Sequence, residues 1–255
     1  MVDAAERAIL PRFRQLAAHE IREKATDELV TIADIDSEAI LSEGLSRIIP
    51  EAAIVGEEAV ALDGGVLALL RDHLCWVIDP LDGTANFAAG QGPFGILVAL
   101  ADRGETIGGW IYDPRLRRLV AAYRGEGTLI DGVPVRSRAS AAAPPIAAIS
   151  ALLQPVPARA VMLARVARHF TTVPIPRCAA EQYPKIILGK CDVTLYERTL
   201  AWDHAAGILC LTEAGGVATR FDGSAYRADD DRTGLIAAAT PALWQAAFDQ
   251  VREAA

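Results

Sequence analysis

The chain has 255 residues, of which 52% are hydrophobic and 23% are charged, so it can bury a substantial core and is not predicted to be disordered. Its 25 basic and 33 acidic residues give a formal charge of −8. This charge disfavours nucleic acid or an anionic membrane as a partner, and an anionic substrate would need a local source of positive charge.

The first half of the sequence predicts helices beside a largely antiparallel sheet. Apolar residues at helical spacing predict a helix over 4–21 and a second over 35–49, with a polar loop at 24–29 between them. An apolar strand at 53–56 meets two acids, and a second at 75–79 ends in one. Further strands are predicted at 94–102, 106–112, 119–123 and 127–130, the last followed by a tight turn at Asp131-Gly132.

The second half predicts a layered α/β unit. Residues 139–145 are rich in Ala, Ser and Pro, which favours a junction between halves at 1–138 and 139–255 that together form one compact unit. Beyond it, strands and helices alternate, which is typical of layered α/β folds. The strands are predicted at 146–150, 172–175, 193–196, 217–221 and 235–239, and the helices at 158–170, 179–188, 202–213 and 241–253.

The four cysteines, His204 and a run of three acidic residues are not predicted to be functional groups. The cysteines form no C-x-x-C pair, so we predict reduced thiols in the core of a cytoplasmic protein. The charged N-terminus and the short apolar runs predict neither a signal peptide nor a membrane span. Asp229-Asp230-Asp231 is predicted to be a solvated acidic loop, and His204 a residue of a helix face that binds no metal.

Acidic residues stand where predicted elements begin or end, which is where a rigid scaffold presents side chains to a cleft. Two carboxylates as close in sequence as Asp79 and Asp82 repel each other unless a cation lies between them. Hard oxygen ligands with no His or Cys nearby favour magnesium over zinc. The acids concerned are Asp34, Glu57, Asp79, Asp82 and Asp203.

The turn after Asp79 supplies the missing positive charge. Gly83 permits close approach of backbone to a ligand, and the N–H groups of Gly83 and Thr84 at a helix start can bind phosphate oxygens. Metal ions supply the rest. The Thr84 hydroxyl could hold a water molecule whose proton Asp34 accepts. Taken alone, this segment could also be a capped turn without function, but the acids elsewhere in the chain favour a site.

Several segments, in order along the chain, resemble the inositol monophosphatase family, within the lithium-sensitive, metal-dependent phosphatase superfamily. They span most of residues 24–238 and are jointly specific. They are LVTIAD at 29–34, IVGEE at 54–58, WVIDPLDGTANF at 76–87, GWIYDP at 109–114, GEG at 125–127, WDHAAG at 202–207 and TEAGG at 212–216.

The resemblance implies a mixed α/β (α+β) fold, a five-layered αβαβα sandwich of the sugar-phosphatase type, usually a homodimer. It implies two or three Mg²⁺ ions, with Mn²⁺ as a substitute, and inhibition by lithium. The reaction implied is hydrolysis of a small phosphomonoester through direct attack by metal-activated water, without a phosphoenzyme.

The resemblance also implies residue roles. Glu57, Asp79 and the Leu81 carbonyl would hold the first ion; Asp79, Asp82 and Asp203 would hold the second; and Glu57 would reach a third. Catalytic roles fall to the group Asp34, Thr84 and Glu57. Substrate or phosphate binding falls to the group Asp82, Gly83, Thr84, Ala179, Glu197 and Asp203.

The alcohol-binding positions depart from the animal enzymes. The segment from Glu197 to Trp202 is shorter than in those enzymes, and either Glu197 or Arg198 would contact the alcohol. Lys24 matches a family lysine near the metals. We expect inositol monophosphate or a similar polyol phosphate as substrate. The alternatives are a histidinol-phosphate, fructose-1,6-bisphosphate or 3′-phosphoadenosine 5′-phosphate phosphatase, and a non-enzymatic regulatory or binding module that keeps the fold.

Overall fold

Two large β-sheets alternate with layers of helices in the computed structural model, which describes residues 1–25, 28–150 and 157–252. The helices are α1 (Val2–Ala4), α2 (Ile32–Ile48), α3 (Glu57–Leu62), α4 (Leu69–Asp72), α5 (Thr84–Ala88), α6 (Pro157–His169), α7 (Ala179–Ile187), α8 (Ala201–Glu213) and α9 (Pro241–Arg252). Shorter helical turns lie at Ala5–Ile9, Leu10–Arg12, Ala18–Glu20 and Gly64–Ala68.

The strands of the described residues form three sheets. They are β1 (Ile21–Ala25), β2 (Glu28–Thr31), β3 (Ala53–Gly56), β4 (Leu74–Asp82), β5 (Gly95–Asp102), β6 (Glu105–Asp113), β7 (Arg118–Tyr123), β8 (Gly127–Ile130), β9 (Val133–Val135), β10 (Ile146–Ile149), β11 (Thr171–Pro174), β12 (Val193–Tyr196), β13 (Val217–Arg220) and β14 (Leu235–Ala238).

Strand order separates the sheets by sequence. The larger sheet has the order β3-β4-β5-β6-β7-β8-β9 and is antiparallel except for the parallel pair β3–β4. The second sheet has the order β11-β10-β12-β14-β13, with β10 parallel to both its neighbours and β14 antiparallel to both of its own. A separate hairpin pairs β1 with β2. The division into halves at residue 139 stays a prediction.

Three hydrophobic cores hold five layers together. In the first, Ile9 and Leu41 from the N-terminal helices pack against Trp76 and Ile78 of the larger sheet. A second core places α7 and α8 between the two sheets, and a third packs α6 and α9 on the outer face of the smaller sheet. This is the expected αβαβα sandwich, and the predicted fold class is confirmed.

The predicted helix over 4–21 is wrong beyond Arg12. Phe13 is extended, Arg14 has a φ of 63° in the left-handed region, and Ile21 pairs with Thr31 in the β1–β2 hairpin. The apolar spacing continues past Pro11, which has no N–H to donate within a helix, and the helical stretch ends one residue later. The polar loop predicted at 24–29 is likewise mostly strand, because Lys24 and Leu29 both lie in the hairpin. Its centre, residues 26–27, lies outside the described residues.

None of the helices in the described ranges is both long enough and apolar enough to cross a membrane.

Two glycines in helices test the packing. A Cβ at Gly207 of α8 would lie 2.0 Å from a Tyr183 ring carbon, whereas a Cβ at Gly44 of α2 would meet nothing within 4 Å. We expect Gly207→Ala to lower the free energy of unfolding by about 1–3 kcal/mol through overpacking. Gly44→Ala should raise it by up to about 1 kcal/mol, because alanine loses less backbone entropy in a helix. Urea unfolding measures both, and a Gly207→Ala variant as stable as wild type would contradict the packing described.

Candidate active site

A bulge near the end of β4 brings two acids to one side of the sheet. Asp79 pairs with Leu97 of β5 and Asp82 pairs with Gly95, so three steps along β4 match two steps along β5. In a regular strand, residues three apart point to opposite faces, and one extra residue restores the same face. Pro80 lies inside the bulge, where its missing N–H leaves no ladder bond unmade.

The first turn of α2 holds Asp34 in a fixed orientation. Thr31 caps the helix: its hydroxyl accepts from the Ala33 N–H at 3.1 Å, and its own N–H donates to Asp34 Oδ2 at 2.8 Å. The Thr31 hydroxyl also lies 2.6 Å from Asp34 Oδ2. Burial raises the pKa of Asp34 to about 6, although the hydrogen bonds from Thr31 and Thr84 oppose the shift.

Thr84 connects Asp34 to the bulge. Its hydroxyl lies 2.9 Å from Asp34 Oδ1 and 2.8 Å from the Leu81 carbonyl oxygen. Because a hydroxyl carries one proton, it can donate fully to only one of these acceptors. The other acceptor is therefore left for a proton donor or a cation.

The start of α3 holds Glu57. The buried Glu38 carboxylate accepts from the N–H groups of Glu58 at 2.8 Å and Ala59 at 2.9 Å, so it caps this helix from α2. A Cβ at Gly56 would lie 2.4 Å from that carboxylate, so only glycine fits beside it.

Lys24 neutralises the acids of α3. Its ammonium group lies 3.0 Å from Glu57 and 2.5 Å from Glu58. Burial lowers the pKa of Lys24, but attraction to Glu57 and Glu58 outweighs burial and raises it. Burial raises the pKa of Glu57 to about 8, with Lys24 opposing the shift and Asp203 adding to it.

Asp79, Asp82 and Asp203 share one electrostatic environment. Burial raises the pKa of Asp79 well above its usual range, and repulsion from Glu57, Asp82 and Asp203 adds to the shift. Burial and repulsion from Asp82 raise the pKa of Asp203 to about 7, and a hydrogen bond with Asp79 and attraction to Arg198 oppose the shift. A hydrogen bond between two carboxyl groups requires that one of them be protonated.

The N-terminus of α7 stabilises Asp82. Its Oδ2 atom accepts from the Ala180 N–H at 2.6 Å, and the N–H groups of Ala179 and Gly83 also bond to this carboxyl group. Burial raises the pKa of Asp82 to about 6 because it outweighs these hydrogen bonds. Ala179, predicted to bind phosphate, therefore lies directly beside Asp82.

The donor set fits a divalent cation of the magnesium type. The carboxylates and the Leu81 carbonyl are hard oxygen ligands. The one nearby thiol, that of Cys178, has a pKa raised well above its usual value by burial and by Asp82, so it stays protonated. Within the described ranges, no three Asp, Glu, His or Cys side chains are already arranged around a common metal position. The acids are close enough for their charges to raise the pKa of Asp79, but a bound cation would still have to draw their oxygens together.

His204 is not a metal ligand. Its Nε2 lies 3.1 Å from the Arg198 carbonyl and its Nδ1 lies 2.8 Å from the Tyr183 hydroxyl. A carbonyl only accepts, so Nε2 carries the proton and the Tyr183 hydroxyl donates to Nδ1. Burial lowers the pKa of His204 to about 3, which keeps the ring neutral.

Glu197 pairs with a residue that the sequence did not single out. Its carboxylate forms an ion pair with Arg159 of α6, and its backbone carbonyl accepts from the Gly234 N–H at 2.8 Å. Arg198 is close enough to Asp203 to lower the pKa of that carboxyl group. Either residue could meet an alcohol, but Glu197 does so as half of an ion pair.

The structure brings most of the predicted residues together. Asp34, Thr84, the Leu81 carbonyl and the acids at 57, 79, 82 and 203 lie around the end of β4 and the starts of α2, α3, α5 and α8. Sequence reasoning missed Glu38 and Arg159. Glu38 had a signal: it lies four residues after Asp34 and therefore on the same face of α2.

The sequence matches the inositol monophosphatase family over residues 1–254. The chain belongs to this family. It is 30% identical to "Nus factor SuhB" of Haemophilus influenzae over 253 residues, covering 97% of this chain and 91% of the relative. It is 30% identical to the Escherichia coli K12 protein of the same name, covering 99% and 94%.

Solved structures agree with the αβαβα fold. The extragenic suppressor protein suhB from Bartonella henselae superposes with a TM-score of 0.81 at 25% identity, covering 99% of this chain and 97% of that one. A Thermotoga maritima IMPase superposes with a TM-score of 0.79 at 23% identity, covering 100% and 96%. The second of these comparisons supports the fold alone.

The raised pKa values predict how stability depends on pH. Folded Glu57 and Asp203 titrate near about 8 and 7, whereas unfolded carboxyl groups titrate near about 4. At these two groups the folded state therefore binds more protons between these values. Neutral His204 has the opposite effect only below about pH 6.5, so the metal-free protein should lose stability as the pH rises from about 6.5 to about 8. Added Mg²⁺ should raise the melting temperature more at the higher pH. A metal-free melting temperature that increases over this range would contradict the electrostatics described.

Proposed function

We propose that this member of the inositol monophosphatase family hydrolyses a small, soluble phosphomonoester in a magnesium-dependent reaction. The observation that carries the proposal is the group of acids around Asp79, whose burial and repulsion are opposed mainly by Lys24 and Arg198. Burying several carboxylates without neutralisation is costly, so a cation-binding role explains their placement better than stability does.

The proposed ligand roles are those that the family resemblance implies. Glu57, Asp79 and the Leu81 carbonyl would hold one ion, and Asp79, Asp82 and Asp203 would hold a second, while a third would reach Glu57. When bound, the ions lower the pKa of a water molecule and stabilise the negative charge on the leaving oxygen. Mn²⁺ is expected to substitute for Mg²⁺ because it accepts the same oxygen ligands.

Asp34 and Thr84 would handle the proton. With the Leu81 carbonyl engaged elsewhere, the Thr84 hydroxyl donates to Asp34 and its lone pairs can accept a proton from water. Asp34, with its pKa raised to about 6, is a stronger base than an ordinary carboxylate and is still ionised at neutral pH. The proton would pass from water through Thr84 to Asp34.

Phosphate would lie over the turn at Gly83. Its oxygens would lie beside the N–H groups of Gly83 and Thr84 and the N-terminus of α7 at Ala179. Asp82 and Asp203 would contribute to phosphate binding by holding the cations that offset its charge. The Gly83 and Ala179 N–H groups also bond to Asp82, so phosphate binding and the orientation of Asp82 are coupled.

The catalytic roles can be tested at Asp34. Asp34→Asn should lower kcat by about 10²–10⁴-fold, because the amide cannot accept the proton. Asp36→Asn is the matched control: this residue lies on the same helix, half-exposed and paired with Arg12, away from the acids described. Phosphate release from inositol 1-phosphate gives the rate, and circular dichroism checks the fold. Wild-type activity in Asp34→Asn would contradict the assignment.

The substrate is proposed to be inositol monophosphate or a similar polyol phosphate. A panel should include histidinol phosphate, fructose 1,6-bisphosphate and 3′-phosphoadenosine 5′-phosphate, each compared by kcat/KM. We expect the polyol phosphates to be turned over best. A kcat/KM at least tenfold higher for any of the other three would replace the polyol assignment while keeping the reaction type.

Two further properties, a homodimer and inhibition by lithium, are proposed from family membership. A cytoplasmic location is proposed from the cysteine pattern. The −8 charge also supports a partner that is neither nucleic acid nor membrane.

The name Nus factor SuhB, which the two bacterial relatives carry, supports a second candidate: a Nus-factor role that needs the fold but not catalysis. The Asp34→Asn variant separates the two roles in cells that lack the gene. If only the wild-type gene restores the growth of these cells, the phosphatase role is favoured. Equal rescue by Asp34→Asn favours the Nus-factor role.

A further inference from the structure

The segment from Glu197 to Leu200 connects β12 to α8 and is held from several sides. Its first residue is the glutamate proposed to meet the alcohol, and Asp203 follows three residues after its last. The Glu197 carbonyl accepts from the Gly234 N–H, and the Arg198 carbonyl accepts from His204 Nε2. The Thr199 hydroxyl accepts a hydrogen bond from the guanidinium of Arg220 on β13, which is the third contact that holds the segment.

Arg220 is an unusual core residue. Its side chain is 2% exposed, and its guanidinium lies 4.9 Å from the centre of the Tyr226 ring. Nη1 donates to the Thr199 hydroxyl at 2.5 Å and to the Arg232 carbonyl at 2.7 Å. Nη2 donates to the Asp230 carbonyl at 3.2 Å and lies 3.4 Å from the Asp230 carboxylate.

Asp230 is the counterion of this buried guanidinium, so the prediction of a solvated loop at 229–231 is wrong for this residue. Its side chain is 12% exposed, and it also pairs with Arg232. Hydrogen bonds from Arg232 lower the pKa of Asp230 to about 2 despite partial burial. The sequence could not show this pairing, because Arg220 ends β13 and Asp230 lies ten residues later in the loop before β14.

Thr199 closes a small hydrogen-bonded ring. Its hydroxyl accepts from Arg220 and donates to the Arg232 carbonyl at 2.9 Å, the same carbonyl to which Arg220 donates. Thr199 is itself buried. Removing the hydroxyl would take one hydrogen-bond acceptor away from the Arg220 guanidinium and loosen the middle of the segment from Glu197 to Leu200.

We propose that Arg220 is a positioning residue, which acts through Thr199 to hold Glu197 and Arg198 in a fixed arrangement for recognition of the substrate alcohol. This inference rests on the proposed phosphatase function. Because the segment contains none of the proposed metal ligands, we expect loosening it to affect alcohol binding far more than the hydrolytic step. KM rises and kcat is nearly preserved.

Thr199→Val tests this with little change in shape. Its matched control is Thr219→Val. The Thr219 hydroxyl accepts from Trp244 Nε1 and donates to the Arg220 carbonyl, and neither bond reaches the segment from Glu197 to Leu200. We expect Thr199→Val to raise KM for inositol 1-phosphate about tenfold, with kcat within about twofold of wild type. Thr219→Val should leave KM unchanged. Thr199→Ser, which keeps the hydroxyl, should restore the wild-type KM.

Amide hydrogen exchange gives a readout that does not need turnover. Amides of residues 198–200 should exchange faster in Thr199→Val than in wild type, Thr199→Ser or Thr219→Val. An unchanged KM with unchanged exchange in Thr199→Val overturns the positioning role, as does a fall in kcat at constant KM. If the wild type hydrolyses no phosphomonoester, the proposed function fails, and exchange alone then decides whether Arg220 holds the segment. Should Thr199→Val not fold, Arg220→Lys, which keeps the charge but loses the fork of donors, takes its place.

Discussion

The main constraint on the site is that several buried carboxylates lie close together and need positive charge to offset their repulsion. Glu57, Asp79, Asp82 and Asp203 come from three separated parts of the chain. Burial raises the pKa of each, and repulsion from neighbouring acids adds to the shifts of Glu57, Asp79 and Asp203. Lys24 and Arg198 oppose that repulsion only in part. Binding of divalent cations explains why the fold brings such groups together. A cation offsets the negative charge of the carboxylates, which then act as its ligands.

The scaffold holds these acids through backbone geometry. The bulge in β4 turns Asp79 and Asp82 to the same side, and the cap at Thr31 orients Asp34. The N-terminus of α7 donates N–H groups to Asp82, and Glu38 fixes the start of α3. Each device is local, yet together they place side chains from distant segments within reach of one another.

Much of this site could be predicted from the sequence. Asp79 and Asp82 at a strand end, Asp34 at the start of a helix and Thr84 after a glycine are local patterns, and local patterns are visible without tertiary structure. The predicted N-terminal helix is too long because apolar spacing continues past Pro11, where the helical stretch is about to end, and because the strand pairing that begins at Ile21 cannot be seen from spacing alone.

The contacts that the sequence did not reveal are tertiary. Arg159 reaches Glu197, and Arg220 reaches Thr199 and Asp230, only because β12, β13 and α6 pack in one half of the sandwich. These contacts surround the alcohol-binding segment and not the metal ligands. Family membership therefore supports the chemistry more directly than it supports the identity of the alcohol.

The most direct test of the central claim is anomalous diffraction from crystals soaked in Mn²⁺. If cations bind among the acids, at least two anomalous peaks should lie within coordination distance of oxygens from Glu57, Asp79, Asp82, Asp203 and the Leu81 carbonyl. The acids should also lie closer together than in metal-free crystals. Saturating Mn²⁺ that leaves no peak among these residues would contradict the account, because their burial would then have no cation to explain it.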